Sequence, residues 1–169
     1  MSDDRQSRIK TYGAAYGELT AALAHYPRDM WQYRSTVDPW TIHEIVVHIT
    51  DSEANSFIRL RRLVAEPGQG VMAYDENAWA QQLAYHSQSP DDALQLFHWL
   101  RHNSFMLLQS LPEAAWAHTI LHPENGPMTM DDWLSVYARH ISDHVAQMDR
   151  ILADWQRRQG SSGQSGLLS

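Results

Sequence analysis

Four long stretches of this chain space their apolar residues three and four positions apart, and the segments between them hold nearly all the prolines and most of the glycines. That period is helical, and proline is tolerated only at helix ends, so the pattern predicts an all-α protein of packed helices. The first helix is expected over about Asp3 to Tyr26, with Ile9, Tyr12, Tyr16, Leu19 and Leu23 as its stripe. Gly13 and Gly17 either weaken it or admit a close neighbour.

The second helix carries its own start signal. In Trp40-Thr41-Ile42-His43-Glu44-Ile45, Thr41 and Glu44 form a capping box, and Trp40 can staple onto Ile45. It should end near Glu66, before Pro67-Gly68. A short helix is expected around Glu76 to Tyr85. Ser89-Pro90-Asp91-Asp92 then supplies an N-cap, an N1 proline and an acidic first turn for the third long helix, which ends near Leu111. Pro123, Asn125-Gly126 and Pro127 mark a loop or short hairpin. Met128-Thr129-Met130-Asp131-Asp132-Trp133 repeats the staple-and-cap logic, and the last helix should reach about Arg158, with Gly160 as its stop.

At 169 residues and 43% hydrophobic content the chain can build one sizeable core and is too short for two ordinary domains. Its 20 acidic against 13 basic residues, with no basic run longer than Arg61-Arg62 or Arg157-Arg158, argue against nucleic acid as a partner. The polar start and the lack of a long apolar run signal neither export nor membrane insertion, so a cytoplasmic location is expected. With no cysteine, thiolate ligands and a Cys nucleophile are excluded, and any metal must use His, Asp or Glu.

Ten histidines make their placement the informative question. On the last helix the stripe is Trp133, Tyr137, Ile141, Met148, Leu152 and Trp155; His144 falls near its centre and His140 about 60° to one side. Both point inward, one turn apart, a spacing that suits two imidazoles on one ion and equally two hydrogen-bonded core histidines. His48 lies two turns into the second helix, at the edge of its stripe of Ile42, Ile45, Ile49, Phe57, Leu60 and Val64. His98 and His102 share the i, i+4 spacing but face away from their helix's core. His25, His43, His86, His118 and His122 read as solvated or capping side chains. Glu53 is a polar residue on an apolar stripe, able to orient a ligand, act as a base, or pair with an arginine such as Arg59 or Arg139; pairing ranks first. Asp51 and Asp143 read as solvated or capping charges. Most tryptophans and methionines sit at core spacing, Trp79 and Trp116 being the exceptions.

The segments WTIHEIVVHITDSE and WLSVYARHISDHVAQMDRI resemble the two signature segments of the DinB/YfiT-like family, including its bacillithiol S-transferase members. WQYRSTVDPW before the second helix and the HPENGPMT turn before the last extend the likeness over nearly the whole ordered chain. The resemblance implies a four-helix bundle with a long crossover and short extra helices in its loops over residues 1–159, and a homodimer, while GSSGQSGLLS over 160–169 has the composition of a flexible tail. It implies one divalent ion held by His48, His140 and His144: zinc or nickel first, with iron, copper and manganese also open. Three imidazoles leave positions open, so the implied chemistry is transfer of a low-molecular-weight thiol to a small electrophile, in detoxification or stress, or hydrolysis. The alternative is a non-catalytic metal-binding or dimerising module of the same fold.

Overall fold

The computed structural model describes residues 3–124 and 126–164. Four long helices, α1 (Asp3–Leu23), α2 (Ile42–Ala65), α4 (Pro90–Ser110) and α5 (Met130–Gln164), form the bundle, and a short α3 (Glu76–Gln82) lies in the crossover between α2 and α4. A hairpin of β1 (Thr119–His122) and β2 (Gly126–Thr129), paired Thr119 to Thr129 and His122 to Gly126, precedes α5. Around the bundle the order is α1, α4, α2, α5, because α4 and α5 each pack against both α1 and α2. α1 and α2 therefore occupy opposite corners, as do α4 and α5, and each of those pairs needs a connection that crosses the bundle, whereas α2 and α4 are neighbours.

The start signals act as read. Thr41 accepts from the Glu44 amide while the Glu44 carboxylate accepts from the Thr41 amide, closing the capping box. Ser89 caps α4 with Pro90 in its first turn. Thr129 and Asp132 make the same reciprocal pair at the head of α5. Gly13 lets α4 approach, since a Cβ there would meet the Phe105 ring at 2.5 Å, whereas Gly17 faces open space. Gly160 does not stop the last helix, which continues to Gln164, so the tail expected over 160–169 begins inside α5; residues 165–169 and Asn125 lie outside the described residues. A helix-interior glycine costs only about 1 kcal/mol, and α5 runs through both Gly160 and Gly163.

The core has two halves. One gathers Leu19, Leu23, Ile42, Ile45, Ile49, Phe97, Ile141 and Met148, the other Ile9, Leu60, Leu63, Leu108, Trp133 and Leu134. At their boundary the four long helices meet in a polar node. Arg101 of α4 pairs with Glu53 of α2 at 2.7 Å and donates to the Tyr137 carbonyl of α5 at 3.0 Å, while the Tyr12 hydroxyl of α1 donates to Glu53 at 2.6 Å. Both charged side chains are essentially inaccessible to water, and the guanidinium lies 3.9 Å from the Tyr12 ring centre. The partner of Glu53 is thus Arg101, and not Arg59 or Arg139 as the sequence suggests.

Breaking a buried pair leaves an uncompensated charge, which costs more than the pair itself contributes. Arg101→Met should lower stability by about 3–5 kcal/mol. The double variant Glu53→Leu/Arg101→Met should recover most of that loss. Urea unfolding checks both, and equal losses in the single and double variants would refute the explanation. Thr41→Ala should cost about 1 kcal/mol in the same assay.

Candidate metal centre

From Ile42 to Thr50 helix α2 is buried on every side, which is why His48, at the edge of the stripe, is 1% exposed. Its ring packs 4.6 Å from that of Trp40, the residue before the cap. Across from it, His140 and His144 stand one turn apart on α5, their rings 4.5 Å apart and nearly perpendicular. Their Nε2 atoms are separated by 3.1 Å. The His48 ring centre lies 5.9 Å from that of His140 and 5.0 Å from that of His144. One nitrogen from each of the three lies within 4.8 Å of the others, a convergence unique among the described residues.

The protonation state follows from the neighbours. Asp38 can only accept hydrogen bonds, so the Gln147 amide that meets it at 3.0 Å must present its NH₂, leaving Oε1 to face His144 Nδ1 at 2.8 Å. Nδ1 of His144 therefore carries the proton, and its Nε2 lone pair points toward His140. Burial lowers the pKa of all three histidines: His48 to about 3, with the neighbouring His144 adding to the effect, and His140 well below the usual value. For His144 burial outweighs the opposing effect of the hydrogen bond it donates to Gln147. All three rings are accordingly neutral at pH 7, the form that ligates a cation.

The donor set fits a divalent ion. Two nitrogens bound tetrahedrally at 2.0–2.1 Å stand roughly 3.3 Å apart, close to the separation of the two Nε2 atoms. A core histidine looks different, as His43 shows: its Nε2 donates to the Gln88 carbonyl at 2.8 Å and its Nδ1 accepts from Gln32 at 2.9 Å. His48 has no such satisfaction, its Nδ1 being buried without a partner among the described residues and its Nε2 lying 4.0 Å from Glu76. Beside the histidines opens a cavity of about 220 Å³ lined by Ser52, Arg59, Tyr74, Glu76, Tyr137 and His140 among others.

Other sequence expectations fare unevenly. Glu53 lies about 140° around α2 from His48 and is engaged by Tyr12 and Arg101. The carboxylate that faces His48 is that of Glu76, at the start of the short helix α3, whose placement against α2 no local spacing conveys. His25 and His86 are exposed, but His43 and His122 are buried. In β1 the alternation of strand residues puts His122 on the inner face with Ile120, a register that a loop reading misses. His102 is exposed and His98 half-buried against Tyr16. Asp143 is exposed, whereas Asp51 accepts from the Tyr85 hydroxyl at 2.6 Å. Trp116 is buried, Trp79 half-buried, and Trp99, expected in the core, is 60% exposed.

No described helix is long and apolar enough to cross a membrane. The chain is 28% identical over 124 residues to the Bacillus subtilis protein named "Putative metal-dependent hydrolase YfiT", covering 73% of this chain and 67% of that one. It is 29% identical over 118 residues to a protein of the same description from Oceanobacillus iheyensis, covering 69% and 68%. The solved structure of YfiT, described as having an unusual four-helix bundle topology, superposes with a TM-score of 0.82 at 23% identity over 95% of this chain and 90% of that one. A mycothiol-dependent maleylpyruvate isomerase superposes with a TM-score of 0.69 at 14% identity, over 85% and 60%. Residues 11–148, which include all three histidines and the Thr41, Ser89 and Thr129 caps, match the sequence model of the DinB superfamily, and the chain belongs to that superfamily.

Proposed function

We propose that this protein is a metal-dependent enzyme in which His48, His140 and His144 hold one divalent ion beside a polar cavity, and that it activates a low-molecular-weight thiol or a water for attack on a small substrate. The observation that carries the reading is the convergence of three neutral imidazoles on one point next to that cavity. A divalent ion held by three neutral ligands supplies open positions and acidifies a thiol or water there. Zinc and nickel suit an all-histidine donor set best, with iron, copper and manganese also compatible.

The residues of the chain do the rest. Asp38 holds Gln147, and Gln147 fixes the ring of His144 with Nε2 inward. Ser52 stands 3.4 Å from His140 Nε2, on the cavity side. Trp40 covers one side of His48 and limits the approach of water. Glu76 reaches the opposite rim, where it can accept a proton released at the site. The names of the sequence relatives support a water nucleophile, and that of the isomerase a thiol.

Metal analysis by mass spectrometry after dialysis should find about one equivalent of a divalent ion in the wild type and none in His144→Ala. A wild type that is empty and cannot be reloaded with zinc or nickel would end the enzyme reading in favour of a non-catalytic module. On zinc-loaded protein, transfer of a thiol to a model electrophile and ester hydrolysis, run side by side, should separate the two nucleophiles. Gln147→Leu frees the His144 ring without removing a ligand. It should weaken zinc affinity by about 10–100-fold while leaving the fold intact by circular dichroism. Unchanged affinity would mean that the Asp38–Gln147 relay does not set the ligand.

A further inference from the structure

On the other side of Arg59 from the histidine cavity lies a second, more apolar groove of about 360 Å³, floored by Ile58, Val71, Met72 and Trp79. Ile58 and Met72 are more than half exposed along it, an apolar surface that packing within the chain leaves uncovered. Its only ionised lining residues are Arg59 and Arg62, and no carboxylate lines it. Arg62 is partly balanced by Glu66 at 3.4 Å, outside the lining. Arg59 lines both spaces. Its guanidinium is fixed from two sides, donating to the Tyr137 hydroxyl at 2.9 Å and to the Met72 carbonyl at 2.7 Å. Of the five N–H groups of a guanidinium, these two hydrogen bonds use two, and Glu76 on the cavity side attracts the same cation.

A cation held rigid with spare donors, above an apolar floor and without an acid in the groove, is complementary to one ligand class. We infer that the groove binds an apolar organic anion, its charged end, a carboxylate or a similar oxyanion, on Arg59 and its hydrocarbon or aromatic body against Trp79 and Met72. Pre-organisation favours this, since the side-chain entropy of Arg59 is already spent on its two anchors. Glu76 and Glu124 line the histidine cavity but not the groove, so the negative end of the ligand is kept on the groove side of Arg59. That this ligand is the electrophilic substrate rests on the metal-enzyme reading above, whereas its binding does not.

The test is calorimetric titration with 4-phenylbutyrate and with 4-phenylbutan-1-ol, which shares its body and lacks its charge, on zinc-loaded and on chelator-stripped protein. The acid should bind ~10-fold more tightly than the alcohol, as expected of a charge-assisted contact, and to the same degree in both forms. Arg59→Met should bring the ratio close to one by weakening the acid alone. Arg59→Lys, which keeps the charge, should retain part of the preference, and Trp79→Ala should weaken both ligands alike; melting temperatures confirm that each variant is folded. Equal affinities in the wild type, or a preference that survives in folded Arg59→Met, would overturn the assignment. So would a preference confined to zinc-loaded protein, which would place the carboxylate on the ion. If the preference follows Arg59 in both forms while no metal-dependent turnover is found, the groove assignment stands and the enzyme reading falls.

Discussion

The ion pair between Glu53 and Arg101 is the point through which the four long helices are registered. Neither group is solvated, and the desolvation cost of burying both is of the same order as their attraction, so the pair is a poor source of net stability. Its effect is selective. Any slide of one helix that separates the charges, or takes the Tyr12 hydroxyl from Glu53 or the Tyr137 carbonyl from Arg101, strands a buried polar group, whereas a slide of leucine along leucine costs little. The apolar residues of the two core halves supply the drive to collapse, and the node chooses one arrangement among those that bury similar area.

That choice reaches the histidines over a short path. His140 is one turn beyond Tyr137, whose carbonyl Arg101 holds, and Ser52, beside His140, immediately precedes Glu53. A shift of α5 against α2 by even one turn would carry His140 and His144 about 5.4 Å past His48 and dissolve the three-nitrogen cluster. The charges in the node are matched as well. An unpaired Arg101 would oppose a cation at the site, and its influence on His140 is already in the direction of lowered basicity. Glu53 places the opposite charge beside Arg101, and burial is the main reason that the histidines are neutral.

What the sequence could and could not convey divides along the same physical line. Local signals are explicit: Thr41 with Glu44 and Ser89 with Pro90 fix helix starts within a few residues, because caps act over one turn. The i, i+4 pair on α5 is equally local. His48 needed the likeness to a family, since its edge position acquires meaning only when α2 is buried all round. The partner of Glu53 lies 48 positions away on a helix whose neighbouring histidines face outward, and periodicity carries no information on which buried acid meets which buried base. The Asp38–Gln147 relay spans 109 positions and is invisible for the same reason. In β1, four residues are too few for a period of two to stand out from a loop, so the sequence carries no sign that His122 is buried.

The bundle and its connections also divide the labour of the site. The histidines stand on α2 and α5, where packing on several sides holds them to the accuracy that ligation demands. The opposite walls come from the connections: Tyr74, Glu76 and Trp79 from the crossover between α2 and α4, and His122 and Glu124 from the hairpin. Both connections are long, and long connections are where side chains can be exchanged without disturbing the core. A scaffold of this kind separates the group that activates from the groups that select. Arg59 is where the two meet, since it is carried on α2, is anchored by Tyr137 of α5, and is held from the other side by the backbone of the crossover at Met72.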